Sequence, residues 1–167
     1  MLNMQTQSDF IVKLVLDAWT GQISRVDKLL SELNDEQLQR AIAPGRNSGV
    51  YLIGHLAAIH DAMLPLLELG PKLHPELEDI FIKNPDKSGL QKPSFTLVRQ
   101  YWKEINAALD LHFQKMSTAD WLKKHTIVSD EDFAKQPHRN KLNVLLSRTN
   151  HVSNHYGQLL LLKGSID

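Results

Sequence analysis

The chain contains no cysteine. Disulfides, thiolate metal sites and a protein-borne thiol nucleophile are therefore excluded, and a reducing compartment suits the protein. It also lacks net charge: 19 Lys plus Arg balance 19 Asp plus Glu. Broad contact with DNA or RNA phosphates needs a basic face, so a nucleic-acid partner is not expected. The first ten residues, MLNMQTQSDF, have neither the basic nor the long apolar region of a signal peptide. The apolar stretch that follows is interrupted by Lys13 and Asp17, and no segment is expected to span a bilayer. A cytoplasmic protein without a membrane partner is the expectation. Internal repeats and low-complexity runs are absent as well. A length of 167 residues suits one domain, taken as 1–167, with a substantial core.

Helical spacing of apolar residues dominates what is present. Ile11, Val15, Ala18, Trp19, Val26, Leu29, Leu30 and Leu33 predict a first helix from about Ser8 to Leu33. A polar stretch, NDEQL, then leads into the turn APGRNSG. Leu52, Leu56, Ile59, Met63 and Leu66 predict a second helix from about Ser48 to Gly70-Pro71, which Pro65 should kink or end early. Residues 71–93 read as a long connection with one helical turn near PELEDIF. Phe95, Val98, Trp102, Ile105, Leu109 and Phe113 mark a third helix over about Ser94 to Met116. STADWLKK reads as a capped turn, and HTIVS as an extended stretch without a strand partner. A fourth helix from about Arg139 or Asn140 to Leu162, ended by Gly164, presents Leu142, Leu145, Leu146, Val152, Leu159 and Leu162. Four long amphipathic helices without strands predict an all-α four-helix bundle.

The eight histidines are the compositional outlier, and histidine is the commonest metal ligand. His151 and His155, four apart, put both imidazoles on one helix face within reach of one ion. Chance alone gives roughly 0.4 such pairs in a chain this rich in histidine, so context must decide. The pair shares its face with Val144, Arg148, Leu159 and Leu162, an apolar setting in which imidazoles need hydrogen-bond partners or a metal. A third ligand should come from another helix. His55 and His60 flank the stripe of the second helix, and His112 continues the buried face of the third; periodicity does not choose among them. His74, His125 and His138 fall in polar connections and read as surface residues.

NSGVYLIGHLAAIHD, followed far downstream by NHVSNHYGQLLLLKG, resembles the DinB/YfiT-like family. That family has a Gly-His pair followed by Leu or Ile on one helix, and H-x-x-x-H followed by Gly-Gln-Leu on the last. The resemblance covers nearly the whole chain. It implies that His55, His151 and His155 bind a divalent ion such as zinc or nickel, and that the protein forms a homodimer. Characterised relatives include transferases and isomerases that use low-molecular-weight thiols, so the resemblance also implies a metal-activated thiol delivered to an electrophilic small-molecule substrate. Some family members place a carboxylate a few residues after the first histidine; here those positions read LAAIH and the first acid is Asp61.

Around this set, Arg148 reads either as a clamp for a substrate carboxylate or as a structural ion pair, for instance with Asp17. Tyr156 offers a hydroxyl near the site or a packed ring. Gln158 is placed to orient a ligand or to tie two helices together. Trp19 and Trp102 are expected in the core.

Overall fold

The computed structural model describes residues 4–164. Its long elements are α1 (Met4–Glu32), α3 (Gly49–Asp61), α5 (Phe95–Phe113) and α8 (Lys141–Leu160). Between them lie short helices: α2 (Asp35–Gln39), α4 (Met63–Leu66), α6 (Thr118–Trp121) and α7 (Asp130–Lys135). A π-helical turn (Asp79–Lys83) and a terminal 3-10 turn (Leu161–Lys163) complete the chain. No strand occurs among the described residues, and HTIVS is a run of turns whose flanks make one isolated bridge, Lys124 to Asn140. The fold is all-α, as the periodicity predicts.

Side-chain caps set most helix starts. Ser48, Ser94 and Asn140 accept from the backbone of Tyr51, Leu97 and Asn143, satisfying amides that have no helical partner. Asn34 and Ser129 do the same for α2 and α7, two helices that apolar spacing does not predict. The second predicted helix is split at Ala62, because Pro65 has no N–H to return to the carbonyl of Asp61. The last helix tightens into the 3-10 turn and Gly164 follows at φ −70°, so the glycine is not used as a left-handed cap.

α3 is the central helix, buried on nearly every side. Gly49–Leu66 is long and apolar enough to cross a membrane by length and composition, contrary to the sequence expectation, but 72% of it is buried inside the fold. Packing in the bundle accounts for that apolarity. The core side of α1 runs through Val12, Trp19, Val26 and Leu33, seven residues apart, while Ile11 is 54% exposed and Ala18 is exposed. Trp19, Val26, Leu29, Leu30 and Leu33 of the predicted face are buried and Val15 packs against them, so the face departs from prediction only at Ile11 and Ala18, and Phe10, Ile11 and Leu14 form an exposed apolar strip. Leu146, also expected inside, is exposed.

Polar ties fix the frame around this core. Trp102 Nε1 donates to Asp27 at 2.7 Å, and Arg99 donates to the carbonyls of Leu30 and Leu33, joining α5 to α1. Arg40 donates to the carbonyl of Leu162 at 2.6 Å, joining the start of the bundle to its end. α3 and α8 run antiparallel: Gly49 lies against Leu162, and His55 lies against His151 and His155.

Candidate metal centre

The chain brings three imidazoles from two helices into one small volume. The candidate ligand atoms of His55, His151 and His155 all lie within 4.8 Å of one another. His151 and His155 share a face of α8 because four residues make about one helical turn. The centroid of the His55 ring is 5.2 Å from that of His151 and 5.3 Å from that of His155, at 77° to both. His60 and His112 are not part of this group.

Hydrogen bonds assign the tautomers. His55 Nδ1 is 2.8 Å from the carbonyl of Phe81, which can only accept, so the proton is on Nδ1 and Nε2 carries the lone pair. His155 Nδ1 is 2.8 Å from Gln158 Oε1, one turn further along α8, with the same consequence. The bare Nε2 of His155 then meets His151 Nε2 at 2.9 Å. A proton or a cation must lie between them. If His151 carries its proton on Nε2, its buried Nδ1 is a lone pair without a partner; if on Nδ1, two lone pairs face each other. A cation shared by both rings, bound at about 2.0–2.1 Å, resolves the conflict. The donor set therefore fits a divalent metal.

Burial reinforces that fit. It lowers the pKa of His151 to about 4, with smaller contributions from His155, His55 and Arg148. It lowers His155 as well, against the opposing effect of the hydrogen bond that His155 donates to Gln158. Both rings are neutral at neutral pH, the form that coordinates a metal.

The loop over α3 positions His55. A side chain at Gly54 would overlap the ring of Phe81, so glycine is what lets the π-helical turn lie against α3 and aim its carbonyl at the next residue's ring. Tyr51 stacks on His55 at 6.4 Å and 8°, and its hydroxyl donates to the carbonyl of Asn84 at 2.7 Å. Neither Phe81 nor Tyr51 was expected at the site. The Gly-His pair is the one sequence signal for them.

The acid nearest in sequence serves the scaffold. Asp61 is 1% exposed and accepts from the backbone of Leu73 and His74 at 2.8 and 2.9 Å, pinning the long connection to α3. Arg148 is half-buried, and its Nε has no partner. The ion pair anticipated with Asp17 does not form, because Lys13, one turn earlier on α1, takes that carboxylate at 2.6 Å. Tyr156 follows His155 directly and so points about 100° away from it. It lines a groove with Arg25, Lys28, Leu29 and Glu32 of α1 and packs against the core, the second of the two places that the sequence offers for it.

Of the other histidines, His60 is fully buried between α1, α3 and α5, with burial pushing its pKa down to about 3. His74 is not a plain surface residue: it lies 3.0 Å from Glu104 and packs on Tyr101. His125 has a buried, unpartnered Nδ1.

No curated protein is similar enough to the chain to count as a match. The family model described as the DinB superfamily matches residues 18–159, which span α3, α5 and α8 and include all three clustered histidines, and on that match the chain belongs to the DinB superfamily.

Proposed function

We propose that the protein is a divalent-metal-dependent enzyme that transfers a low-molecular-weight thiol to an electrophilic small molecule. The observation that carries this reading is the convergence of three imidazoles with no carboxylate among them. His55, His151 and His155 would hold zinc or nickel and leave a position open to an incoming ligand. When bound, such an ion lowers the pKa of a coordinated thiol and supplies it as a nucleophile. The absence of cysteine in the chain fits a thiol that arrives from outside.

The chain's own residues have distinct tasks. Phe81 and Gln158 orient His55 and His155 through their Nδ1 protons. Arg148, a half-buried cation without an acidic partner among the described residues, binds an anionic group of the substrate on the same face of α8. Gln158 therefore serves the ligand shell, and Tyr156 has no part in the chemistry.

Hydrolysis by an activated water is the weaker alternative. It needs a general base at the ion, and Asp61, the acid that follows the first histidine, is committed to the backbone of residues 73 and 74. A cytoplasmic homodimer remains part of the proposal; the exposed strip of Phe10, Ile11 and Leu14 supports association of two copies.

The test is consumption of added thiols by the zinc- or nickel-loaded protein in the presence of an epoxide or a halo-arene. Turnover that disappears on chelation and in His155→Ala supports the assignment. Absence of turnover across a panel of thiols and electrophiles, with metal shown to be bound, removes it.

A further inference from the structure

Metal-bound histidines usually donate their remote ring N–H to an acceptor, which fixes the tautomer and the ring orientation. His55 has the carbonyl of Phe81 and His155 has Gln158. His151 has no protein partner at its buried Nδ1. A second imidazole close by is incomplete in the complementary sense. His60 is 0% exposed, held between the rings of Trp19 and Trp102 at 4.8 and 5.1 Å. Its Nδ1 is 2.9 Å from Asn106 Oδ1, and the amide nitrogen of Asn106 is committed as donor to the carbonyl of Trp102. Asn106 therefore accepts, His60 carries its proton on Nδ1, and His60 Nε2 is a buried lone pair without a partner.

The antiparallel run of α3 and α8 sets these groups at one level of the bundle. His55 faces His151 and His155, so His60, five residues on along α3, lies level with the turn of α8 that holds Arg148. His60 is near enough to His151 and Arg148 that charge on either disfavours charge on His60. Arg148 Nε–H is likewise buried and without a protein partner.

Resting on the metal-site reading above, we infer that one buried water accepts from His151 Nδ1–H and Arg148 Nε–H and donates to His60 Nε2, which makes His60 the positioning residue for the His151 ligand. The count of donors and acceptors selects water. Two N–H groups and one lone pair match the roughly three hydrogen bonds of a typical buried water. A carboxylate or phosphate oxygen would set its own lone pairs against that of His60. The third metal ligand thereby gains an acceptor through one solvent molecule, and the depth of His60 in the core keeps that molecule in place.

The experiment combines ring-nitrogen NMR of the wild-type protein, with and without zinc, and zinc affinities of two variants. Zinc should shift the Nε2 signals of His55, His151 and His155. In the zinc form, His151 Nδ1–H should exchange slowly and show magnetisation transfer to a bound water, and His60 should be the Nδ1–H tautomer with a hydrogen-bonded Nε2. His60→Phe, which removes the acceptor, should bind zinc about 10- to 100-fold more weakly. His60→Gln, which keeps an acceptor on a side chain of similar reach, should recover most of the affinity. Zinc shifts at all three Nε2 atoms together with a fast-exchanging His151 Nδ1–H, or with wild-type affinity in a folded His60→Phe, overturn the inference and leave the metal site standing. The absence of any zinc-induced shift overturns both. Should His60→Phe fail to fold, the wild-type spectra alone decide.

Discussion

Phe81 lays its ring where a side chain on Gly54 would have to go, and its carbonyl takes the Nδ1 proton of the neighbouring His55. One missing methyl group thus links the packing of a connection to the tautomer of a metal ligand. Gly54→Ala sets two effects against each other. Alanine favours a helix over glycine by about 1 kcal/mol. Overfilling a packed core costs about 1–3 kcal/mol, and Phe81 is 0% exposed, so its ring has little room to retreat. Overpacking should win. The variant should melt at lower temperature and, because the Phe81 carbonyl is displaced, bind zinc more weakly in a chelator competition. A more stable variant with unchanged zinc affinity would show that the ring moves freely.

The ligand shell predicts a graded series. His155→Ala deletes a ligand and should abolish stoichiometric zinc in elemental analysis. Gln158→Leu keeps the ligand but removes the acceptor at its Nδ1, and should weaken zinc about 10- to 100-fold. Tyr156→Phe should leave zinc affinity and thiol transfer unchanged, because that ring faces α1. Loss of activity in Tyr156→Phe would return its hydroxyl to the mechanism.

The spacing of His151 and His155 was readable because a four-residue step on a helix needs no tertiary information. Choosing His55 over His60 was not possible from periodicity. α3 is buried almost all round, so there is no polar face to exclude either residue; His55 is selected by facing α8, and His60 turns toward Trp19 and Trp102. Phe81 contributes through a backbone carbonyl, which any residue carries, and only the glycine beside His55 hints at it. The error at Ile11 has a similar origin: Ile11 and Val12 are both apolar and β-branched, and only the partner helices show that Val12 is the inward one. α2 and α7 were missed because caps at Asn34 and Ser129 define them, and apolar spacing does not.

Acid should destabilise the metal-free protein from the histidine range downward. Burial depresses His60 to about 3 and His151 to about 4, and lowers His155 as well. In the unfolded chain histidine titrates near 6.5. Between about pH 6.5 and 4 the unfolded state therefore binds more protons than the folded one, and stability falls as pH falls. Each such group contributes a slope of up to about 1.4 kcal/mol per pH unit. Urea melts of the metal-free protein across this range should show the decline, and His60→Gln should flatten it by close to one proton. A pH-independent midpoint from 6.5 to 4 would mean that these rings are more hydrated than their burial indicates.

Arg148 separates a binding role from a structural one. A half-buried guanidinium without a carboxylate within ion-pair distance among the described residues adds little to stability, since no ion pair offsets its desolvation. Arg148→Met should therefore fold with an unchanged or raised melting temperature. If the guanidinium receives an anionic substrate, its loss removes a charge-assisted hydrogen bond of about 1.5–3 kcal/mol, which corresponds to roughly a 10- to 150-fold loss in kcat/KM. That loss should fall on acceptors carrying a carboxylate and spare neutral ones of the same shape. Equal loss on both would trace the effect to the His151 side of the site, where the Arg148 Nε–H acts through the water that it shares with His151 and His60 and not on the substrate.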